Sequence, residues 1–75
     1  MIINGKIVLN PYVTDLDFME LVDIGDMIVA NAYGEEFKLT CGKEYELLGY
    51  DGDCIMVKND LGNREYYSVD YFRKA

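Results

Sequence analysis

The sequence predicts an α+β domain: a small, strongly curved antiparallel sheet or barrel of about four or five strands with one short N-terminal helix. Three observations carry this reading. Phe18, Leu21 and Val22 recur at i, i+3 and i+4 within residues 16–24, the spacing of one helix face. From Met27 onward the chain is broken into short apolar, β-branched and aromatic runs. Between those runs stand turn formers, Asp51-Gly52 and the stretch from Asn59 to Asn63 with its Gly62, at hairpin spacing. A chain of 75 residues makes one domain, taken as residues 1–75.

In chain order, residues 7–9 form a first short strand, ended by Asn10-Pro11. Thr14 is placed to cap the helix, with Asp17 three residues later as in an acidic capping box, and Gly25 is placed to end it. At about ten residues this helix is too short to stand without packing. Residues 27–30 read as a buried strand, 31–36 as a turn, and 37–40 as a further strand or an approach to one. The runs 45–48 and 54–58 form one hairpin about the Asp-Gly pair, and 54–58 with 64–69 form a second, in which Gly62 suits a left-handed position. Residues 70–72 close the chain as a turn or a final strand. The expected core comprises Phe18, Val22, Val29, Leu39, Tyr45, Leu47, Met56 and Phe72.

Charge is the most uneven property. Between Ile7 and Phe37 lie Asp15, Asp17, Glu20, Asp23, Asp26, Glu35 and Glu36 with no Lys or Arg among them, while the rest of the chain is nearly balanced, so this stretch supplies most of the net charge of -7. Self-repulsion of this kind costs stability. Either the acids form a solvated face, or they are aimed at a basic partner. On a helix Asp17, Glu20 and Asp23 fall at i, i+3 and i+6, one row of carboxylates about 5–6 Å apart. Asp15 and Asp17 gain from the helix N-terminal dipole, whereas Asp23 sits where a negative charge is unfavourable. Such a row, at phosphate-like spacing, fits a groove lined by Lys, Arg and backbone amides. The expected partner-binding acidic face is therefore Asp15, Asp17, Glu20 and Asp23. The soft side chains near it, Met19, Val22, Met27, Val29 and Met56, are either core or an apolar pocket for one partner side chain.

Composition excludes much else. The chain has no histidine and a single serine, Ser68, and no glycine-rich phosphate loop, so no catalytic residue, cofactor or metal ligand is expected. The acidic balance disfavours direct binding of nucleic acid or anionic membranes, and the tyrosines lack the electropositive groove that base stacking needs. Cys41 and Cys54 fall at opposite ends of a hairpin strand, roughly 17 Å apart, beyond the roughly 7 Å a disulfide spans. They read as reduced thiols in a cytoplasmic setting. No targeting signal is expected, because Asn4, Gly5 and Lys6 interrupt the apolar residues at 1–3 and 7–9.

Two resemblances attach to particular residues. Leu39-Thr40-Cys41-Gly42-Lys43-Glu44-Tyr45, then Asn59-Asp60-Leu61-Gly62, then Tyr66 or Tyr67 and Phe72, resemble small SH3-like proteins of phage genomes over residues 27–73. That likeness implies an SH3-like barrel and leaves a protein-binding adaptor role open. Gly5-Lys6 before an apolar strand, the acidic segment, and Asp26-Met27-Ile28-Val29-Ala30-Asn31-Ala32-Tyr33-Gly34-Glu35 resemble the phage uracil-DNA glycosylase inhibitor family. Leu39-Thr40, Glu44-Tyr45 and residues 55–63 continue the similarity in order. The family's Glu-Ser-Ile segment falls near residues 10–14, where this chain has Asn10, Pro11, Tyr12, Val13 and Thr14. What this resemblance implies is a non-enzymatic DNA mimic that blocks a host DNA-binding enzyme with a basic groove. An acidic edge and an apolar pocket would grip that enzyme. Other targets, such as a defence nuclease, fit the same mimicry.

Overall fold

Asn4 and Gly5 both take positive φ, +52° and +79°, the pair of conformations a two-residue type I′ turn requires. They join β1 (Ile2–Ile3) to β2 (Lys6–Val8). The computed structural model describes residues 2–75. In sequence these two residues look like an interruption of apolar runs; in the fold they are the first hairpin.

The expected helix over 16–24 does not form. A three-residue 3-10 turn, Leu16–Phe18, takes its start, capped by Asp15 rather than Thr14: the Asp17 N–H donates to Asp15 Oδ1 at 3.0 Å. Its second half is β3 (Leu21–Val22), antiparallel to β2 with Ile7 opposite Val22 and Val8 opposite Leu21. Two causes decide the outcome. Isolated helices this short are marginal, while the strand seals the β-branched Val22 at 0% exposure. In addition, the buried Asn10 side chain holds this stretch open: Nδ2 donates to the Phe18 carbonyl at 3.0 Å and Oδ1 accepts from Glu20 N–H at 2.7 Å. Phe18, expected in the core, is 71% exposed.

A second sheet has the order β5-β4-β9, built from β4 (Met27–Ala30), β5 (Glu44–Glu46) and β9 (Phe72–Lys74). A third has the order β6-β7-β8, from β6 (Gly49–Asp51), β7 (Cys54–Lys58) and β8 (Arg64–Ser68). All pairings are antiparallel. Only Leu47 and Leu48 separate β5 from β6, so the chain crosses between sheets there, with Leu47 wholly buried. The three sheets have three strands each and none closes on itself. The described residues thus form an all-β fold with three 3-10 turns, neither α+β nor a closed barrel.

The hairpin expected between 45–48 and 54–58 forms instead between β6 and β7, while residues 44–46 pair with β4; it turns at Gly52-Asp53, with Gly52 at φ +61° in the first central position of a type II′ turn. The second turns over 59–63 with Gly62 at φ +83°, as expected. Residues 37–40 are not a strand. Phe37 ends a 3-10 turn (Ala32–Phe37), and Lys38 takes the left-handed conformation at φ +69°. The third 3-10 turn, Val69–Tyr71, leads into β9.

All three sheets feed one core, where Ile7 and Val22, Ile28 and Tyr45, and Ile55 and Val57 meet. Leu39, Leu47 and Phe72 join them as expected, whereas Val29 is buried outside this cluster and Met56 is half-buried. Cys41 and Cys54 are free thiols. Among the described residues no helix is long and apolar enough to cross a membrane.

Candidate functional site

The acidic segment becomes a succession of turns. Asp15 and Asp17 are exposed on the first 3-10 turn, and Glu35 and Glu36 are exposed on the second. Asp23 and Asp26 flank the tight turn between β3 and β4, where Asp26 Oδ2 accepts from Asp23 N–H at 2.8 Å. The straight row expected of Asp17, Glu20 and Asp23 is absent, because helical spacing applies only to a helix. Asp23 pairs instead with Lys6 of β2, and that carboxylate holds the ammonium pKa above its usual value. The Glu20 carboxylate accepts the Lys74 backbone N–H at 3.0 Å, tying this segment to β9. Among the described residues, Asp23 is the one member of the acidic segment in an ion pair.

The proposed receiving pocket is not assembled. Val22 is sealed in the core and Val29 is 5% exposed, so neither can admit a partner side chain. Met19 and Met56 are half-buried, and Met27 is exposed at the start of β4. None of these five lines the cavities described next.

A cavity of about 410 Å³ lies where the N-terminal segment meets the second and third 3-10 turns. Its lining includes buried Leu9 and Phe72 and half-buried Tyr71. Tyr12 and Tyr33, 78% and 75% exposed, are the most solvent-exposed tyrosines of its lining. Glu20 and Asp70 bring two carboxylates, and among the described residues no basic one lines it.

Two asparagines set this geometry. Asn31 caps the second turn by accepting Tyr33 N–H at 3.0 Å, and its Nδ2 donates to the Asp70 carbonyl at 2.6 Å. Its own N–H donates to the Tyr71 carbonyl at 2.8 Å, so one residue fixes the Tyr33 wall to the Asp70 wall. Asn10, itself in the lining, holds Glu20 through the bond already described. Sequence reasoning weighed the tyrosines but singled out Tyr66 and Tyr67. The missed signal is a pair of asparagines, each two residues before an exposed tyrosine: Asn31, which caps its turn, and Asn10, which grips the chain at Phe18 and Glu20.

A second cavity, about 570 Å³, is lined by Glu36, Lys38, Glu65 and Tyr66 beside the stacked rings of Phe37 and Tyr71, whose centroids are 5.0 Å apart. A third, about 520 Å³, includes Asp23, Ile24 and Tyr50. Outside these, Asp60 gathers a structural network. It accepts from Thr40 Oγ1 at 2.6 Å, Tyr45 Oη at 2.7 Å and Lys43 Nζ at 2.8 Å. Those donors, Lys43 first, lower the Asp60 pKa to about 2. Among the described residues no group of His, Cys, Asp and Glu could hold a metal ion.

No family model, curated protein or solved structure matches this chain.

Proposed function

We propose that this protein is a non-enzymatic, phage-type inhibitor that imitates DNA toward the basic groove of a host DNA-processing enzyme in the bacterial cytoplasm. Uracil-DNA glycosylase is the first target to test. The observation that supports this reading is the state of the acidic segment. Its carboxylates lie largely on exposed turns, and among the described residues only Asp23 is neutralised by an ion pair. A solvated face needs no such concentration of one sign, whereas a cationic cleft is drawn to it. The likeness to the glycosylase-inhibitor family points to the same class of partner.

The mimicry differs in form from a helical row. Asp15 and Asp17 project from one turn, Asp23 and Asp26 from another, and Glu35 and Glu36 from a third, so the surface offers clusters rather than a line. Electrostatic steering makes such an association fast and salt-sensitive. Surface plasmon resonance against immobilised glycosylase tests it, with the quadruple variant Asp15→Asn, Asp17→Asn, Glu20→Gln and Asp23→Asn as comparison. The variant is expected to associate about 100-fold more slowly than the parent at low salt. Equal association of the two would remove the acidic face from the interaction.

A second reading, an adaptor that binds a host protein through its tyrosines, is favoured by the exposure of Tyr12 and Tyr33. It expects the quadruple variant to bind as well as the parent. Mimicry directed at a defence nuclease gives the same variant response with a different immobilised target.

A further inference from the structure

We infer that the cleft between Tyr12 and Tyr33 receives an arginine side chain of the protein partner. This deepens the proposed function in one respect, since it rests on that partner being cationic.

Three features of the cleft converge on a guanidinium. First, its volume of about 410 Å³ lies within the range of sites that enclose a small group, about 300–1,000 Å³. Second, the lining mixes buried apolar groups with exposed aromatic ones. Leu9 and Phe72, 1% and 4% exposed, contribute apolar surface, and Tyr12 and Tyr33 contribute two largely exposed aromatic rings. An arginine has the matching profile, an aliphatic stem ending in a flat cation. Third, among the described residues the charge is one-sided: Glu20 and Asp70 contribute carboxylates and no Lys or Arg lines the cavity. The 570 Å³ cavity, by contrast, already contains Lys38 beside Glu36 and Glu65.

The polar groups are also committed in a way that leaves acceptor capacity. Glu20 Oε1 takes the Lys74 backbone N–H, which anchors the carboxylate and leaves its second oxygen for a donor from outside. Asp70 is exposed, its N–H held by Ser68 Oγ at 3.3 Å and its carbonyl by Asn31. A planar, five-donor guanidinium stacks on an aromatic face and bonds carboxylates in its own plane, which a lysine ammonium cannot do. An apolar occupant would leave the carboxylate-bearing residues of the lining without a charged partner.

The test uses the full chain, ¹⁵N-labelled, titrated with N-acetyl-arginine amide and separately with its uncharged isostere N-acetyl-citrulline amide. Saturable shifts of the Tyr12, Tyr33, Asp70 and Tyr71 amides with arginine, and none with citrulline, are expected. Tyr33→Leu and Asp70→Asn are each expected to weaken binding about 2–5-fold, with the remaining spectrum reporting that the variants are folded. Equal binding of citrulline would show that the cleft does not recognise the cation and overturn the inference. So would unsaturable shifts spread over Asp15, Asp17, Glu35 and Glu36, which report general charge attraction. Because no enzyme is present, a glycosylase that proves unaffected by the protein leaves this result standing, and the two ideas fail separately.

Discussion

Replacing Asn10 by alanine tests why the acidic segment is a turn and a strand instead of a helix. The side chain is 7% exposed and makes two bonds to main chain, to the Phe18 carbonyl at 3.0 Å and from Glu20 N–H at 2.7 Å. Each such bond contributes about 0.5–1.5 kcal/mol net, and a buried partner left unsatisfied costs about 1–3 kcal/mol. Met19 and Glu20 are half-buried, so water reaches part of the vacated site. The expected loss is therefore about 2–3 kcal/mol in total. In a domain of this size each kcal/mol lowers Tm by about 4–8 °C, so Asn10→Ala is expected to melt at least about 8 °C below the parent. Circular dichroism with temperature and with urea measures both quantities. Thr14→Ala is the matched control. A helix capped by Thr14 would lose about 1 kcal/mol, whereas an exposed Thr14 that caps nothing changes stability by less than about 0.5 kcal/mol. A costly Thr14→Ala beside a neutral Asn10→Ala would refute the argument.

Asp60→Asn is expected to destabilise the protein at neutral pH by weakening the bonds from Lys43, Thr40 and Tyr45. The folded pKa of about 2 lies below the ordinary 3.8, so this stabilisation is present above 3.8 and lost as pH falls through about 2. Urea midpoints of parent and variant should converge in that window, and a constant gap would contradict the assignment. Gly34→Ala places a Cβ 3.0 Å from Leu39 Cδ1 and 3.3 Å from Leu39 Cβ. With Leu39 buried, the crowding is expected to cost about 1–3 kcal/mol by urea unfolding. Tyr67→Phe removes the hydroxyl that donates to the Phe37 carbonyl at 2.8 Å and accepts from buried Asn59 at 3.2 Å. The expected cost is about 1–2 kcal/mol, again read from urea midpoints.

The β-rich half of the fold was legible because its signals are local. The apolar runs at 27–30 and 54–58 and the turn at 59–63 carry their own β propensity and turn chemistry. The N-terminal half was misread because its decisive partners are distant. Helical spacing at Phe18, Leu21 and Val22 is real in the sequence. Pairing of Val22 with Ile7 and the grip of Asn10 eight and ten residues ahead outweigh it. The same distant partners decide the site, since a row of carboxylates requires a helix and this segment is a 3-10 turn followed by a strand. Asn4-Gly5 was readable as a type I′ turn and was missed beside longer apolar runs. The Tyr12–Tyr33 cleft was not legible, because it joins residues from Leu9 to Phe72 across the whole chain.

Uracil release from a uracil-containing duplex by bacterial uracil-DNA glycosylase, measured with increasing amounts of this protein, is the decisive observation. Release should fall as the protein approaches the enzyme concentration, and added salt should restore it. Undiminished release at a large excess of protein would contradict the proposal for that enzyme.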